Sequence, residues 1–567
     1  MNGVARAAGA SILAMVAVTV SGQMSGALAP TARDFPLVGG NLGNQRYSSL
    51  TEITPANVKQ LGGAWLVHLE GGKAVGNMQG TPVVADGVLY IGSGSGSIFA
   101  INAATGAIDW KWTSPFGGQT NRGVTVAEGK VFTGQAGARI VAIDAKTGQQ
   151  LWETKIAERG GTPGALIYCN GMVFSGISGG EQGVRGQFAA YDAKTGKEIW
   201  KFYTIPGPGE FGHDTWEGDS WMRGGGPLWS HPAVDPELGT VYVPVGNAYP
   251  DTNGSTRGGD NLFTASIVAL DIKTGVRKWH FQEVHHDLWD YDNMTPPLLA
   301  DVTYRGEPRK ILIHGGKTGL TYILDRTNGQ PLVGIEERPV PQDARNKTSK
   351  TQPFPIGDAP VPTCPEAGSV AAGAATACVF GAFFDQPVVM TPGTQGGLNW
   401  APMTFSPQTK LFYVPGSIIN SAFGPGFSRP PGQPRAGTLT AMDPTTNKIV
   451  WQKRTTYPLA SGNGLLSTAS GLLFEGISDG NLVAYDIRNG REVWSFQTGA
   501  GADTPVITYE AAGTQYLAIL AGGNSFNLSQ TGDNLWAFKI GGTLPPLPAP
   551  EPPPTTQPAG GRRGGGG

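Results

Sequence analysis

The sequence predicts an all-β protein, an eight-bladed β-propeller of four-stranded antiparallel blades with tryptophan-docking repeats. Three observations predict it. A nine-residue phrase recurs along the chain, opening on Asp or Asn, turning at Thr-Gly or a near variant, and ending on Trp. Each copy is preceded by another pair of β-type runs, such as GVLYIGSGSGSIFAI. Glycine supplies 86 of 567 residues without a collagen period, which demands many tight turns. A repeat architecture absorbs a length that would otherwise divide into roughly three or four domains.

The copies run in order. NAATGAIDW ends at Trp110, DAKTGQQLW at Trp152, DAKTGKEIW at Trp200 and DIKTGVRKW at Trp279. DRTNGQPLV is a degenerate copy ending at Val333, followed by DPTTNKIVW to Trp451 and DIRNGREVW to Trp494. Trp536 in NLWAFKI starts an eighth outer-strand pattern, and Trp65 in GGAWLVHL is placed to complete a blade from the other terminus. Within each copy the Asp side chain can bond turn amides and Gly accepts a positive φ, so the phrase reads strand, turn, strand. Trp110 and Trp152 are 42 residues apart and Trp451 and Trp494 are 43 apart, a blade's length. The 79 residues from Trp200 to Trp279 and the 118 from Val333 to Trp451 must hold insertions, which on a propeller build a functional face.

The flanks read differently. Arg6 and the apolar run ASILAMVAVTV form an export signal, assigned to residues 1–29; the run is too short to span a bilayer and places the protein in the periplasm or outside the cell. The propeller occupies residues 34–541. From Gly542 the chain (GGTLPPLPAPEPPPTTQPAGGRRGGGG) lacks the apolar residues to bury a core and is expected to be a disordered tail over residues 542–567. Cys364 and Cys378 flank the loop PEAGSVAAGAATA, where an exported protein either joins them as a disulfide or carries two free thiols. No CxxCH motif provides for a covalent haem. With 41 Lys and Arg against 43 Asp and Glu, nothing resembles a nucleic-acid footprint, and no other segment reaches the length of a membrane span.

Departures from a repeat are where function is grafted. Asp144, Asp192, Asp271 and Asp486 occupy the repeat position and are turn residues. Three sites stand outside it: Glu181 in SGISGGEQGVRG, Asn247 in VPVGNAYPD, and Asp287, Asp290 and Asp292 in HHDLWDYD. His285 and His286 have no third His nearby and read as loop residues that shape a pocket.

From Asp34 to about Ile540 the sequence resembles the PQQ-dependent quinoprotein dehydrogenases, the superfamily of methanol, alcohol and membrane glucose dehydrogenases. SGGEQGVRG, TWEGDSWMRGGGPLW, GGDNLFTASIVALD, HHDLWDYD and KTGLTYILDR carry the resemblance, in family order. HHDLWDYD and TQPFP look most like the sugar-oxidising branch. The resemblance implies that Glu181 and Asn247 are metal ligands and Asp290 the catalytic base, with Asp290 and Asp292 also facing the metal. It implies that Arg122 pairs with a carboxylate of pyrroloquinoline quinone (PQQ), that Trp229 stacks under the quinone, and that Lys317 sits at its reactive oxygen. Gln79, Thr162, Ser178, Asn399 and Trp400 take further cofactor-contact positions. Two departures stand out: Gln79 replaces a frequent Glu, and NRGVTVAEG lacks the adjacent-cysteine ring of several relatives.

The residue chemistry suits these roles. A flat tricarboxylate needs cations at its rim and an aromatic platform, and Arg meets a carboxylate bidentately. Glu, Asn and Asp offer the oxygens that a hard cation takes, with Ca2+ the expected ion and Mg2+ or a lanthanide the alternatives. In an extended segment Asp290 and Asp292 point to one side. An extra carboxylate at Asp292 resembles lanthanide-dependent methanol-oxidising members, and the sugar-oxidising look argues for calcium or magnesium. The implied reaction is oxidation of a sugar, polyol or alcohol, with electrons passed to a separate acceptor such as a cytochrome c or a quinone. A primary-alcohol or methanol-type enzyme is the first alternative, and a non-catalytic scaffold built on the same repeat is the second.

Overall fold

The computed structural model describes residues 26–73, 75–425 and 428–558. The repeat phrase folds as its turn chemistry dictates. Asp144 Oδ1 accepts the N–H of Lys146 at 3.1 Å and of Thr147 at 2.8 Å, and the Thr147 hydroxyl at 2.9 Å, while Gly148 turns the chain at φ 73°. Asp192 and Asp271 make the same set of bonds in their own copies. The turn joins Arg139–Asp144, whose interior is fully buried, to Gln150–Lys155, whose side chains alternate toward solvent. That contrast in burial marks the second strand of the pair as the outer edge of its sheet.

Sheets of this kind follow one another along the chain. Four-stranded antiparallel sheets are built from the strands between Val83 and Trp112, Thr125 and Lys155, Ile167 and Tyr203, Ala233 and Gln282, and Thr404 and Thr455. The sheet from Leu466 to Gln497 gains a fifth, parallel strand, Tyr47–Ser48. One sheet has three strands, Leu298–Tyr304, Glu307–Gly315 and Thr321–Asp325. Its outer edge is reduced to a single bridge between Leu324 and Pro331. The cause is local: the degenerate copy places Pro331 where an N–H would extend the ladder. The last sheet joins the two ends of the fold, as Trp65 implied. Leu61–His68 pairs antiparallel with Asn534–Ile540. Neighbouring sheets touch through their innermost strands, as Val83–Ala85 and Ile167–Cys169 each touch Thr125–Ala127, the arrangement of a propeller.

Tryptophans tie the sheets together. The indole N–H of Trp110 donates to the Ala145 carbonyl at 3.0 Å, that of Trp152 to Ala193 at 3.2 Å, and that of Trp200 to Ile272 at 3.0 Å. Each acceptor follows the repeat Asp of the next sheet. Trp65, Trp451 and Trp494 bond to Ala103, Ile487 and Leu61 in the same manner. Trp279 has no such partner; its counterpart carbonyl, on Arg326, is taken by the Tyr242 hydroxyl.

The insertions pack over the sheets. The one after Val333 contains the hairpin Ile335–Pro339 with Thr351–Pro355, and a small sheet of Thr376–Ala377, Val388–Met390 and Ser421–Phe423. Cys364 and Cys378 are joined as a disulfide within it, and Cys169 is a buried free thiol.

The flanks need one correction. The residues beyond Gly542 are not a disordered tail as far as Gln557. Leu544 bridges Gly63, Thr555 O accepts the Arg435 N–H at 2.8 Å, and the buried Gln557 exchanges backbone bonds with Gly432 and Gln433. A Pro-rich strand needs no apolar core for this, because its fixed φ leaves little conformational entropy to lose when it lies along an existing edge. Residues 559–567 lie outside the described residues. So does the apolar run of the expected export signal, although Ala27 is buried and Leu28 packs against the core. No helix among the described residues is long and apolar enough to cross a membrane.

Candidate active site

The predicted site residues share one end of the fold. Gln79, Arg122, Trp229 and Trp400 each precede the innermost strand of a sheet, whereas Ser178, Glu181, Asn247 and Lys317 each follow the second strand. These strands are antiparallel, so lead-in and exit lie at the same end. A repeat of sheets therefore converts positions scattered over 320 residues into one ring of side chains.

Lys317 is the centre of the charged cluster. Its Nζ lies 3.0 Å from Asp290 Oδ2 and 2.7 Å from Asp292 Oδ2, with only 7 % of the side chain exposed. Burial works against the ammonium, but Asp290 and then Asp292 outweigh it and hold its pKa above the ordinary lysine value. Burial also pushes the Asp290 carboxyl well up, against the pull of Lys317 and with the help of Asp292 and Glu181. Asp290 sits at φ 59°, so HHDLWDYD is not extended there. The two carboxylates nevertheless meet on one side, because the Asp287 carboxylate folds the loop by accepting the N–H groups of Trp289 at 2.9 Å and Tyr291 at 3.0 Å.

Asp292 is not a free ligand oxygen in this arrangement. Its Oδ1 accepts the Asn247 N–H at 2.9 Å and its Oδ2 takes Lys317. Glycine makes the approach possible, since a Cβ on Gly246 would collide with Asp292 Oδ1. Among the described residues Glu181, Asp290 and Asp292 do not close into a three-carboxylate cluster. What stays open is Asn247 Oδ1 and Asp290 Oδ1, both buried and without a partner. Glu181 rides on the turn Gly180–Gln182 between two left-handed glycines, with its side chain open to solvent on one side; partial desolvation and the charge of Asp292 raise its pKa. A Cβ on Gly180 would come within 2.7 Å of Asn247 Oδ1, which places that oxygen against the Glu181 turn. One acid, one amide oxygen and one unpaired carboxylate oxygen form a donor set that suits a hard cation.

A second group lies beside it. The Arg122 guanidinium stands between two indoles, 4.8 Å from the Trp229 ring centre and 4.9 Å from that of Trp400. Its Nη1 donates to the Trp229 carbonyl at 2.9 Å and its Nε has no partner. Burial lowers its pKa to about 9, the condition in which an anion is most strongly attracted. Gln79 is 1 % exposed and neither of its amide atoms is bonded. Unpaired buried polar atoms are rare in folded proteins and fit a bound polar ligand at both residues.

The remaining predicted contacts divide. Ser178 Oγ accepts the Gly161 N–H at 3.1 Å and keeps its hydrogen free to donate. Thr162 is bonded within the fold: its hydroxyl lies 2.8 Å from the Gln135 carbonyl and 2.7 Å from that of Arg139, and accepts the Gln135 N–H. Asn399 is likewise bonded at both ends, to the Gln395 carbonyl and the Trp400 N–H. His286 bridges the carbonyls of Gly259 and Asn346, and His285 lies between Gln282 and Glu337, so neither is presented as a ligand.

Several buried polar groups escape a reading of the sequence. His314 Nδ1 and Glu283 Oε1 are 2.6 Å apart, both fully buried, and Asn293 beside them has neither amide atom bonded. The His inside the apolar run ILIHGG was the available signal. Arg429 feels the charge of Asp290 and has no bonded partner among the described residues; nothing in its Pro- and Gly-rich surroundings marks it.

A ring of antiparallel sheets that gathers an oxygen donor set and an indole-flanked arginine at one end defines a cofactor-dependent propeller enzyme. Comparison with known proteins agrees. Residues 35–424 and 420–517 match the PQQ family "Glucose/ethanol/alcohol dehydrogenase, beta-propeller domain". The chain is 35 % identical to the quinohemoprotein alcohol dehydrogenase of Comamonas testosteroni over 557 residues, 89 % of this chain and 74 % of that protein. The crystal structure of the Comamonas enzyme superposes with a TM-score of 0.77 at 32 % identity, covering 91 % of this chain and 82 % of that one. A europium-containing methanol dehydrogenase superposes with a TM-score of 0.74 at 26 % identity, covering 90 % and 98 %. The chain belongs to the PQQ-dependent quinoprotein dehydrogenases, oxidoreductases that act on CH–OH groups.

Proposed function

We propose that the protein is an exported alcohol dehydrogenase, an eight-bladed ring in which Asp290 is the base and Lys317 its positioning cation. The observation that carries this is the pair of unbonded buried oxygens, Asp290 Oδ1 and Asn247 Oδ1, beside a Lys317 that fixes Asp290 by its other oxygen. A carboxylate held at Oδ2 and free at Oδ1 can receive a proton at a defined point. Glu181 and Asn247 would hold the cation beside Asp290, with Ca2+ the expected ion. Arg122 would meet a carboxylate of PQQ, Trp229 would lie against its ring, and Gln79 and Ser178 would bond its polar edge. When bound, PQQ takes up the hydride and the cation polarises its carbonyl.

Asp290 Oδ1 removes the hydroxyl proton of the substrate, and Lys317 keeps the receiving carboxylate turned toward it. Trp229 and Trp400 exclude water from the guanidinium between them, which strengthens its hold on an anion. The quinohemoprotein alcohol dehydrogenases among the relatives support an alcohol as the substrate. The resemblance of HHDLWDYD and TQPFP to the sugar-oxidising branch supports a polyol or sugar as the second reading. The Cys364–Cys378 disulfide supports an oxidising compartment such as the periplasm. Electrons would leave through a separate cytochrome c or quinone.

The test is reconstitution with PQQ and Ca2+, followed by a panel of primary alcohols, polyols and aldoses with an artificial electron acceptor. A quinone absorption band and turnover of alcohols are expected. Absence of both would leave the scaffold reading.

A further inference from the structure

The disulfide lies far from Asp290 in sequence but is joined to it by a short chain of contacts. Cys378 is two residues before Phe380, and its carbonyl accepts the Gly381 N–H at 3.0 Å. The Gly381 carbonyl in turn accepts the indole N–H of Trp289 at 2.9 Å. Phe380 is fully buried and its ring meets Trp289 edge-on at 5.5 Å and Tyr291 edge-on at 6.1 Å. Trp289 and Tyr291 stack on each other at 5.7 Å, and they are the residues on either side of Asp290. The turn that carries Cys378 thus clamps both neighbours of the proposed base.

Two conformational facts show why the clamp is needed. Asp290 at φ 59° and Phe380 at φ 64° are both left-handed, a region that is strained for a non-glycine residue. Such conformations persist only where the surroundings over-determine them. Around Asp290 the surroundings are Asp287, which holds the amides of Trp289 and Tyr291, and the Phe380 turn above the two rings. Around Phe380 they are the disulfide and the Val379 N–H bond to the Thr363 carbonyl at 2.7 Å, one residue from Cys364. The loop between the two cysteines is largely exposed and rich in Gly and Ala; apart from the disulfide it is held by the pairing of Thr376–Ala377 with Val389–Met390 and by Arg454 on Glu366.

We infer that the Cys364–Cys378 disulfide is a positioning element for Asp290, acting through Phe380, Gly381 and Trp289. The inference rests on the reading of Asp290 as the base. The disulfide keeps the Gly381 carbonyl aimed at Trp289, and that bond keeps Asp290 Oδ1 at its place above the cation ligands. Displacement of a reacting group by about 1 Å can cost on the order of a hundredfold in rate.

Two variants of the full chain test it: Cys364→Ser with Cys378→Ser, and Trp289→Phe, which keeps a buried aromatic ring but removes the indole donor together with the five-membered ring that carries it. Each is loaded with PQQ and Ca2+ and assayed well below its melting temperature for kcat, KM and PQQ affinity. Backbone hydrogen exchange is followed for the peptide containing Trp289 and Tyr291. Both variants are expected to exchange those two amides faster and to lose roughly tenfold or more in kcat, with PQQ affinity unchanged. Unaltered exchange in both variants overturns the inference whatever the activity. Faster exchange with wild-type kcat also overturns it, because Asp290 would then not depend on the clamp. If the double variant fails to fold, Trp289→Phe decides alone. Should the wild type turn over no alcohol, the functional reading fails and the exchange data still decide whether the disulfide holds this loop.

Discussion

The indole of Trp110 lies on the turn of the next sheet at Gly148, where an added Cβ would come within 2.8 Å of the ring. Gly148 is therefore required twice, once for its φ of 73° and once for the space that Trp110 fills. The same contact recurs between Trp65 and Gly106, Trp152 and Gly196, Trp200 and Gly275, and Trp451 and Gly490. The repeat phrase thus encodes a joint between sheets as well as a turn within one.

The two requirements can be separated. Gly129 has a φ of 69° and open space around its Cβ position. Gly129→Ala should cost about 1–2 kcal/mol from backbone strain alone. Gly148→Ala should cost a further 1–3 kcal/mol or so from overpacking against Trp110. Denaturant midpoints of the two variants check this; equal losses would show that the joint does not confine the turn.

How much of this was legible follows from the kind of signal each residue sends. Asp144, Thr147, Gly148 and Trp152 act within a few residues of one another, so their pattern alone gives strand, turn and outer edge. The order of the sheets and the pairing of Leu61–His68 with Asn534–Ile540 follow from counting copies. Asp292 was harder. Its spacing from Asp290 implied two carboxylates facing a metal, but the ladder end at Asn247 offers an N–H to which Asp292 is bonded, and only three-dimensional packing reveals that competition. The bonds of the Thr162 hydroxyl to the neighbouring turn are likewise visible only in three dimensions. The segment around Thr555 and Gln557 was unreadable because a Pro-rich run carries no periodicity, and its partner edge lies about Arg435.

Trp229→Ala should weaken PQQ binding without unfolding the protein. Trp229 is half-buried and its ring faces the Arg122 guanidinium, so its removal opens the site rather than a sheet interior. A fully buried aromatic would cost about 3–5 kcal/mol of stability. Titration of apo-protein with PQQ, alongside melting of the same sample, distinguishes the two. A large fall in melting temperature with unchanged affinity would make Trp229 a core residue.

Asp292→Ala should reduce activity with every metal, not with lanthanides alone. In the structure Asp292 anchors the Asn247 backbone and shares Lys317 with Asp290, so its loss disturbs a proposed ligand and the base together. Reconstitution of wild type and variant with Ca2+, Mg2+ and La3+ provides the check. Activation of wild type by La3+, lost in the variant while Ca2+ activity is kept, would instead make Asp292 a direct lanthanide ligand.

Glu475 should make the protein less stable as pH rises. It lies fully buried on the strand Leu472–Gly476, with Oε2 3.3 Å from the Tyr485 hydroxyl and Oε1 unpartnered. Burial raises its pKa to about 8; the Tyr485 hydrogen bond and the charge of Lys453 offset only part of this. An acid whose folded pKa lies above its unfolded value keeps its proton in the native state after the unfolded chain has lost it. Between the ordinary glutamate value and about 8 the native state binds more protons, so stability falls with rising pH across that window and levels off above it. The slope is about 1.4 kcal/mol per pH unit, amounting to several kcal/mol across the whole window. Glu475→Gln keeps the shape and the hydrogen-bonding capacity toward Tyr485 but removes the titration. Its denaturant midpoint should therefore stand close to wild type at pH 5 and clearly above it at pH 9. The measurement is the difference in midpoint between the two proteins at pH 5, 7 and 9, and a difference that does not grow with pH would show that Glu475 is not held protonated in the native state.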